Sequence, residues 1–185
     1  MLAQKLGLSL PSNNHVEWLP TDESSLEAWY QKGEGITVDG SDNVERWNDG
    51  SGNSRTMLQA TSSKRPAYSN GVLTFDPAND ESLQTSSQIS LAEEFTIAFR
   101  ANPAATNVTI LADNTTSNEF IKYSTSSRIV IKIDGTSKNL NLGSGSFGDD
   151  YIIISRDSSD VITLYQNGVA QDSPQTLAGE CDIDA

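Results

Sequence analysis

From Phe95 to Arg100 large apolar residues recur at every second position, with Phe95, Ile97 and Phe99 on one side and Thr96, Ala98 and Arg100 on the other. A two-residue repeat of this kind is satisfied by a strand with one face buried and one face in water. The same region begins upstream with Val72-Leu73-Thr74-Phe75-Asp76 and continues through Glu81-Ser82-Leu83-Gln84-Thr85, the two separated by Pro77-Ala78-Asn79-Asp80. Proline and the short polar residues between the apolar runs are turn formers, so the stretch predicts three β-segments and two turns. Phe75 and the Phe95/Ile97/Phe99 face are the expected core.

The rest of the chain repeats that grammar. Before the central stretch, Leu26-Glu27-Ala28-Trp29-Tyr30 reads as the first strand, followed by Ile36-Thr37-Val38, Val44-Glu45-Arg46-Trp47 and Met57-Leu58-Gln59-Ala60. After it come Val108–Leu111, Glu119–Tyr123, Arg128–Ile133, Tyr151–Arg156 and Val161–Gln166. Asn70-Gly71 is a strong hairpin signal, and Asp134-Gly135 and Asn167-Gly168 mark two further tight turns. No segment of ten residues keeps a 3.6-residue period. Ten or more short strands at regular spacing predict an all-β sandwich.

Residues 1–24 read as an arm preceding a domain over 25–185. The arm has two prolines and a Ser-Asn-Asn run, which disfavour a compact element. Yet Leu2, Leu6, Leu8, Leu10 and Trp18 are apolar, and leaving each in water costs about 1.5–3 kcal/mol. The arm is therefore expected to dock, either on its own domain or on a neighbouring subunit. At the other end, Glu180-Cys181-Asp182-Ile183-Asp184-Ala185 stops inside an apparent strand. An unfinished edge is an aggregation hazard, so the native chain is expected to continue past Ala185.

Twenty-five acidic residues against 12 basic ones give a formal charge of -13. That balance argues against nucleic acid as a direct partner, because phosphate is bound by neutralising it with Lys and Arg. No run has the length of a membrane span, and the N-terminus lacks the apolar core of a secretion signal. The chain is expected to be made in a cytoplasm and to stay there or leave within an assembly. Cys181 and His15 are single; they provide neither a disulfide nor the pairing a Cys/His or Ser/His nucleophile needs.

Several of these segments, in order, resemble the concanavalin A-like, laminin-G-like jelly-roll superfamily. They are Leu26-Glu27-Ala28-Trp29-Tyr30, Trp47-Asn48-Asp49-Gly50-Ser51-Gly52-Asn53, Arg65-Pro66-Ala67-Tyr68, Phe75-Asp76 with Leu83 and Phe95-Thr96-Ile97, and Arg156-Asp157 with Leu164-Tyr165-Gln166-Asn167-Gly168. The resemblance covers about three-quarters of the chain. It departs at Pro77, where glycine usually follows Phe-Asp, and in the absence of the last strands. The opening Lys5-Leu6-Gly7-Leu8-Ser9-Leu10-Pro11 is similar to the starts of virion proteins of tailed phages.

The resemblance implies a two-sheet jelly roll on an N-terminal arm, displayed on a virion assembled in the host cytoplasm. The implied partners are other virion proteins through the arm and a cell-surface glycan, with homo-oligomers, a trimer among them, suiting that role. No membrane insertion is implied. A carbohydrate-binding adhesin outside a virion is the alternative, and a glycoside hydrolase a distant third.

Two oxygen-rich loops could hold Ca²⁺, which takes six to eight oxygen ligands: Asn48, Asp49 and Asn53, and Asp76, Asn79 and Asp80. The same residues also build turns without any metal. No cofactor is required by either reading. Trp47 and Tyr68 are the candidate platforms for a sugar, although Trp29 and Trp47 fit a core role as well. Glu180, Asp182 and Asp184 superficially resemble the strand-borne carboxylates of a retaining glycosidase, which stand about 5–5.5 Å apart. The last position is Asp rather than Glu, and no aromatic-rich groove accompanies them. The chain is not expected to be an enzyme.

Overall fold

The computed structural model describes residues 18–171 and 174–184. The strands in chain order are β1 (Ile36–Val38), β2 (Val44–Trp47), β3 (Met57–Leu58), β4 (Ala67–Ser69), β5 (Val72–Thr74), β6 (Gln84–Thr85), β7 (Ile89–Leu91), β8 (Phe95–Ala101) and β9 (Val108–Ala112). They continue with β10 (Phe120–Thr125), β11 (Arg128–Ile133), β12 (Thr136–Asn141), β13 (Asp150–Arg156), β14 (Val161–Gln166), β15 (Val169–Ala170), β16 (Gln175–Thr176) and β17 (Cys181–Ile183). Every ladder is antiparallel. The protein is all-β, with short 3₁₀ turns as the only helical elements among the described residues.

Two larger sheets hold the core between them. One has the order β12-β11-β10-β9 and the other β15-β14-β13-β8, with β16 added to β14. In β11 the sequence Arg-Ile-Val-Ile-Lys-Ile buries Ile129, Ile131 and Ile133 completely and leaves Arg128, Val130 and Lys132 on the outer face. Ile121 and Tyr123 of β10 and Leu140 of β12 join that inner face, meeting Phe95, Ile152, Ile154, Ile162 and Leu164 from the second sheet. Each such side chain contributes about 1.5–3 kcal/mol of burial. Cys181 and Ile183 of β17, which pairs with β7, belong to the same cluster.

The turn dipeptides fix the registers. Asp134 and Gly135 have φ of 46° and 76°, the left-handed pair a two-residue hairpin requires, and the β11–β12 ladder runs unbroken from Arg128↔Asn141 to Ile133↔Thr136. A smaller sheet, β1-β2-β3-β6, and the β4–β5 hairpin lie outside this core.

Two expectations are corrected, and one further strand is found. Leu26–Tyr30 forms no ladder; its backbone is taken up by side chains of the following loop instead. Phe75 is not core but 47% exposed, and Val72 is 51% exposed. The β4–β5 hairpin that carries Val72 forms its own two-stranded ladder, joined to its surroundings by a single bridge from Ala67 to Asn43, and Asp76 next to Phe75 caps an exposed 3₁₀ turn. Thr136–Asn141, too polar to announce itself, is a full strand. Phe95, by contrast, is buried, with Ile97 and Phe99 half-buried against the core.

Candidate functional site

The loop after Trp47 is organised around one carboxylate. Asp49 Oδ1 accepts the Trp29 N–H (2.9 Å) and the Ser51 N–H (2.9 Å), and Oδ2 accepts the Ser51 hydroxyl (2.7 Å) and the Arg55 N–H (3.1 Å). The Asn53 amide donates to the carbonyls of Leu26 (2.7 Å) and Glu27 (3.1 Å), and Gly50 N–H donates to Trp29 O (2.7 Å). Arg55 closes the arrangement with an ion pair to Glu27 at 2.5 Å. Gly50 lies close under Trp29: a Cβ there would stand 3.1 Å from the indole ring, which would have to give by a few tenths of an ångström. The loop therefore grips residues 26–29 in place of a strand neighbour.

Burial works to raise the Asp49 pKa, but the hydrogen bonds from the Ser51 hydroxyl and the three backbone N–H groups outweigh it and hold the carboxyl below its ordinary value. Those four donors fill the acceptor positions of the carboxylate, so a Ca²⁺ ion would have to displace them. Asn48 is exposed on the rim and Asn53 is committed through its amide to the 26–27 carbonyls. In the second loop, Asp76 accepts Ala78 N–H (2.9 Å) and the Asn79 amide (3.2 Å), and Asp80 takes a left-handed φ of 51°. Both loops thus build turns from the residues expected to ligate Ca²⁺. Among the described residues, no three His, Cys, Asp or Glu side chains are grouped to hold a metal.

A shallow groove of about 470 Å³ crosses the outer surface of β1, β2 and β3, lined by Thr37, Glu45, Arg46, Asn48, Leu58, Gln59, Ala60 and Arg65. Arg65 forms one wall, donating to Gln59 O (2.9 Å) and pairing with Glu45 (2.8 Å) and Asp39 (3.1 Å). Leu58, 39% exposed, is its apolar element. Planar amides, a carboxylate and guanidinium groups around an apolar side chain can hydrogen-bond and pack against a small polar ligand.

Of the predicted binding residues only Asn48 lines this groove. Trp47 faces elsewhere: its ring packs 5.6 Å from that of Tyr30, and its Nε1–H reaches the carbonyls of Gln31 (3.2 Å) and Glu34 (3.1 Å). Tyr68 is half-buried in the β4–β5 hairpin opposite Leu73. Of the arm residues, Leu2, Leu6, Leu8 and Leu10 lie outside the described residues, and Trp18 is 66% exposed. The groove residues Glu45, Gln59 and Arg65 come from separate segments, and no spacing in the sequence marks them as neighbours.

The C-terminal carboxylates have structural partners. Asp182 accepts the Ser90 hydroxyl at 2.6 Å, and buried Asp184 accepts Asn114 N–H at 2.7 Å while its backbone joins Ala112 to Thr85. Glu180 is exposed. Nearby, the Thr116 hydroxyl lies 2.9 Å from Asp113 Oδ2 and 3.0 Å from Glu119 Oε2.

Compared with known protein families, with curated proteins and with solved structures, the chain matches none.

Proposed function

We propose that the chain is a structural component of a tailed-phage virion, anchored by its N-terminal arm and displaying a concanavalin A-like jelly roll that contacts glycans on the host surface. The observation that carries the anchoring half is at the arm's junction with the domain. Trp18 and Leu19 are 66% and 46% exposed, so these two apolar residues are not taken up by the sandwich they lead into. Exposed aromatic and aliphatic neighbours of this kind are suited to burial in a partner. The all-β architecture, with two sheets around one core, is compatible with the jelly roll and gives a rigid body for display.

Removing residues 1–24 is the direct test. The truncated chain should fold, with unchanged far-UV circular dichroism, but fail to enter particles. Truncated protein incorporated at the full-length level would end the anchoring reading.

The alternative, a carbohydrate-binding adhesin outside a virion, draws its support from the groove beside Arg65, whose size and mixed polar lining suit one or two sugar residues. Particle incorporation separates the readings, since an adhesin outside a virion binds glycans on an array yet is absent from purified particles.

A further inference from the structure

The acidic excess of this chain is not evenly spread. Strands β9 to β12 hold Lys122, Arg128, Lys132 and Lys138 and no Asp or Glu at all, in a protein with 25 acids to 12 bases. The register puts three of the four on the outer face: Phe120 is opposite Lys132, Lys122 opposite Val130, and Arg128 opposite Asn141. Alternate residues on a strand stand about 6.7 Å apart and neighbouring strands about 4.8 Å, so these cations form one compact field. The ammonium groups of Lys122 and Lys132 lie 5.0 and 5.7 Å from the Phe120 ring.

These cations also differ from others in the molecule by what they touch. Arg55, Arg65, Arg100 and Arg156 each face a carboxylate. Lys122, Lys132 and Arg128 instead donate to neutral oxygens, of Asn107 (3.2 Å), the Ser117 carbonyl (2.7 Å) and Asn141 (2.9 Å), and make no ion pair among the described residues. Their positive charge is held in place and left uncompensated. Ser137 and Asn139 continue the same face with exposed hydroxyl and amide groups.

We infer that the outer face of the β9–β12 sheet binds an anionic polysaccharide, one whose sugars carry carboxylate or sulfate groups. Each part of the face has a counterpart in that ligand. The three cations meet its acidic groups, Ser137, Asn139 and Asn141 meet its hydroxyls, and Phe120 with Val130 supports the apolar C–H side of a ring. A DNA strand carries its charge on phosphates and offers few free hydroxyls to Ser137, Asn139 and Asn141. This inference rests on the glycan-binding half of the proposed function and not on the arm, so it is tested on the isolated protein.

The probes are polygalacturonate and dextran sulfate, with uncharged dextran and a single-stranded oligonucleotide as comparisons, followed by calorimetry and affinity electrophoresis in low salt. At least one of the two acidic polymers should bind, uncharged dextran should not, and binding should weaken as salt is raised. Changing Lys122, Arg128 and Lys132 to Ser together should reduce affinity at least tenfold. Lys64→Ser, at an exposed position outside this sheet, should leave affinity unchanged. Restoring charge with Lys122→Arg and Lys132→Arg in the wild-type background should retain binding, which separates charge from fold. The inference is overturned if neither acidic polymer binds, if the triple variant binds as well as the wild type, or if the oligonucleotide binds at least as tightly. It is also overturned if the triple variant instead loses a self-association seen by sedimentation. None of these outcomes bears on whether the arm enters particles.

Discussion

The guanidinium of Arg156 lies 4.8 Å from the centre of the Phe95 ring, and the two residues are cross-strand partners on the inner faces of β13 and β8. Arg156 is only 2% exposed, and a charge so placed is costly unless fully engaged. It donates to the carbonyls of Glu93 (2.7 Å), Gly179 (2.6 Å), Leu91 (3.3 Å) and Leu177 (3.4 Å). One side chain thereby ties the end of β7, the turn into β8 and the run from β16 to β17 onto β13. Arg156→Ala should lower stability by about 3 kcal/mol, since hydrogen bonds to a charged group are worth about 1.5–3 kcal/mol and several carbonyls are orphaned together. Arg156→Lys should recover little, because an ammonium cannot span the same fan of acceptors. Urea unfolding measures both, and a loss below about 1 kcal/mol for the alanine variant would refute the clamp.

Asp49 is the second fastener, and its effect is pH-dependent. Its folded pKa is depressed below the unfolded value of about 3.9. For a depressed carboxylate the stabilisation is present in full above the unfolded pKa and is lost as the pH falls through the folded one. Asp49→Asn replaces two acceptor oxygens by one and sets an amide NH₂ against N–H donors, so it should cost about 2 kcal/mol at pH 7. The variant's stability should also fall less than that of the wild type between pH 5 and pH 2. Parallel pH profiles for the two proteins would contradict this assignment.

The difference between what was legible and what was not follows from where each signal resides. Ile36–Val38, Arg128–Ile133 and Val161–Gln166 carry apolar alternation or a bounding turn pair within themselves, and the structure has them with those bounds. Thr136–Asn141 is a strand because β11 and the Asp134-Gly135 turn deliver it to an edge, not because Thr-Ser-Lys-Asn-Leu-Asn favours one. Leu26–Tyr30 shows the opposite case: its alternation is right for a strand, yet the Asp49 loop competes for its backbone with side-chain oxygens and amides. Phe75 looks like core by composition alone, and only the topology reveals that its hairpin packs outside. The groove beside Arg65 draws on three segments, and the cationic sheet face appears only when the strands are set side by side.

Cys181 reports on the C-terminal strand. The thiol is wholly buried and pushed up to about 12 by burial, then by the nearby charge of Glu119, with Arg156 opposing and Asp182 adding to the rise. At pH 8 it should resist a thiol reagent in the native protein and react at once in urea, since the thiolate is the reactive form. The slow native reaction should follow the global unfolding equilibrium, because β17 is joined to β7 and packed in the main core. Labelling faster than global unfolding permits would mean that β17 opens independently.

Tyr123 is a core residue whose ring and hydroxyl pull in opposite directions. The ring packs edge-on to Phe147 at 4.9 Å, while the buried hydroxyl has no hydrogen-bond partner among the described residues. Burial, followed by the charge of Asp150, raises its pKa to about 12. A buried hydroxyl without a partner costs about 1–3 kcal/mol of desolvation, whereas the ring supplies burial and an aromatic contact. Tyr123→Phe keeps the ring and removes the hydroxyl, so stability should hold or rise by about 1 kcal/mol. Tyr123→Ala removes both and should lose about 3–5 kcal/mol, as large-to-small core changes do. Urea denaturation of the pair decides the matter: a phenylalanine variant less stable by more than about 1 kcal/mol would show that the hydroxyl contributes to the core instead of burdening it.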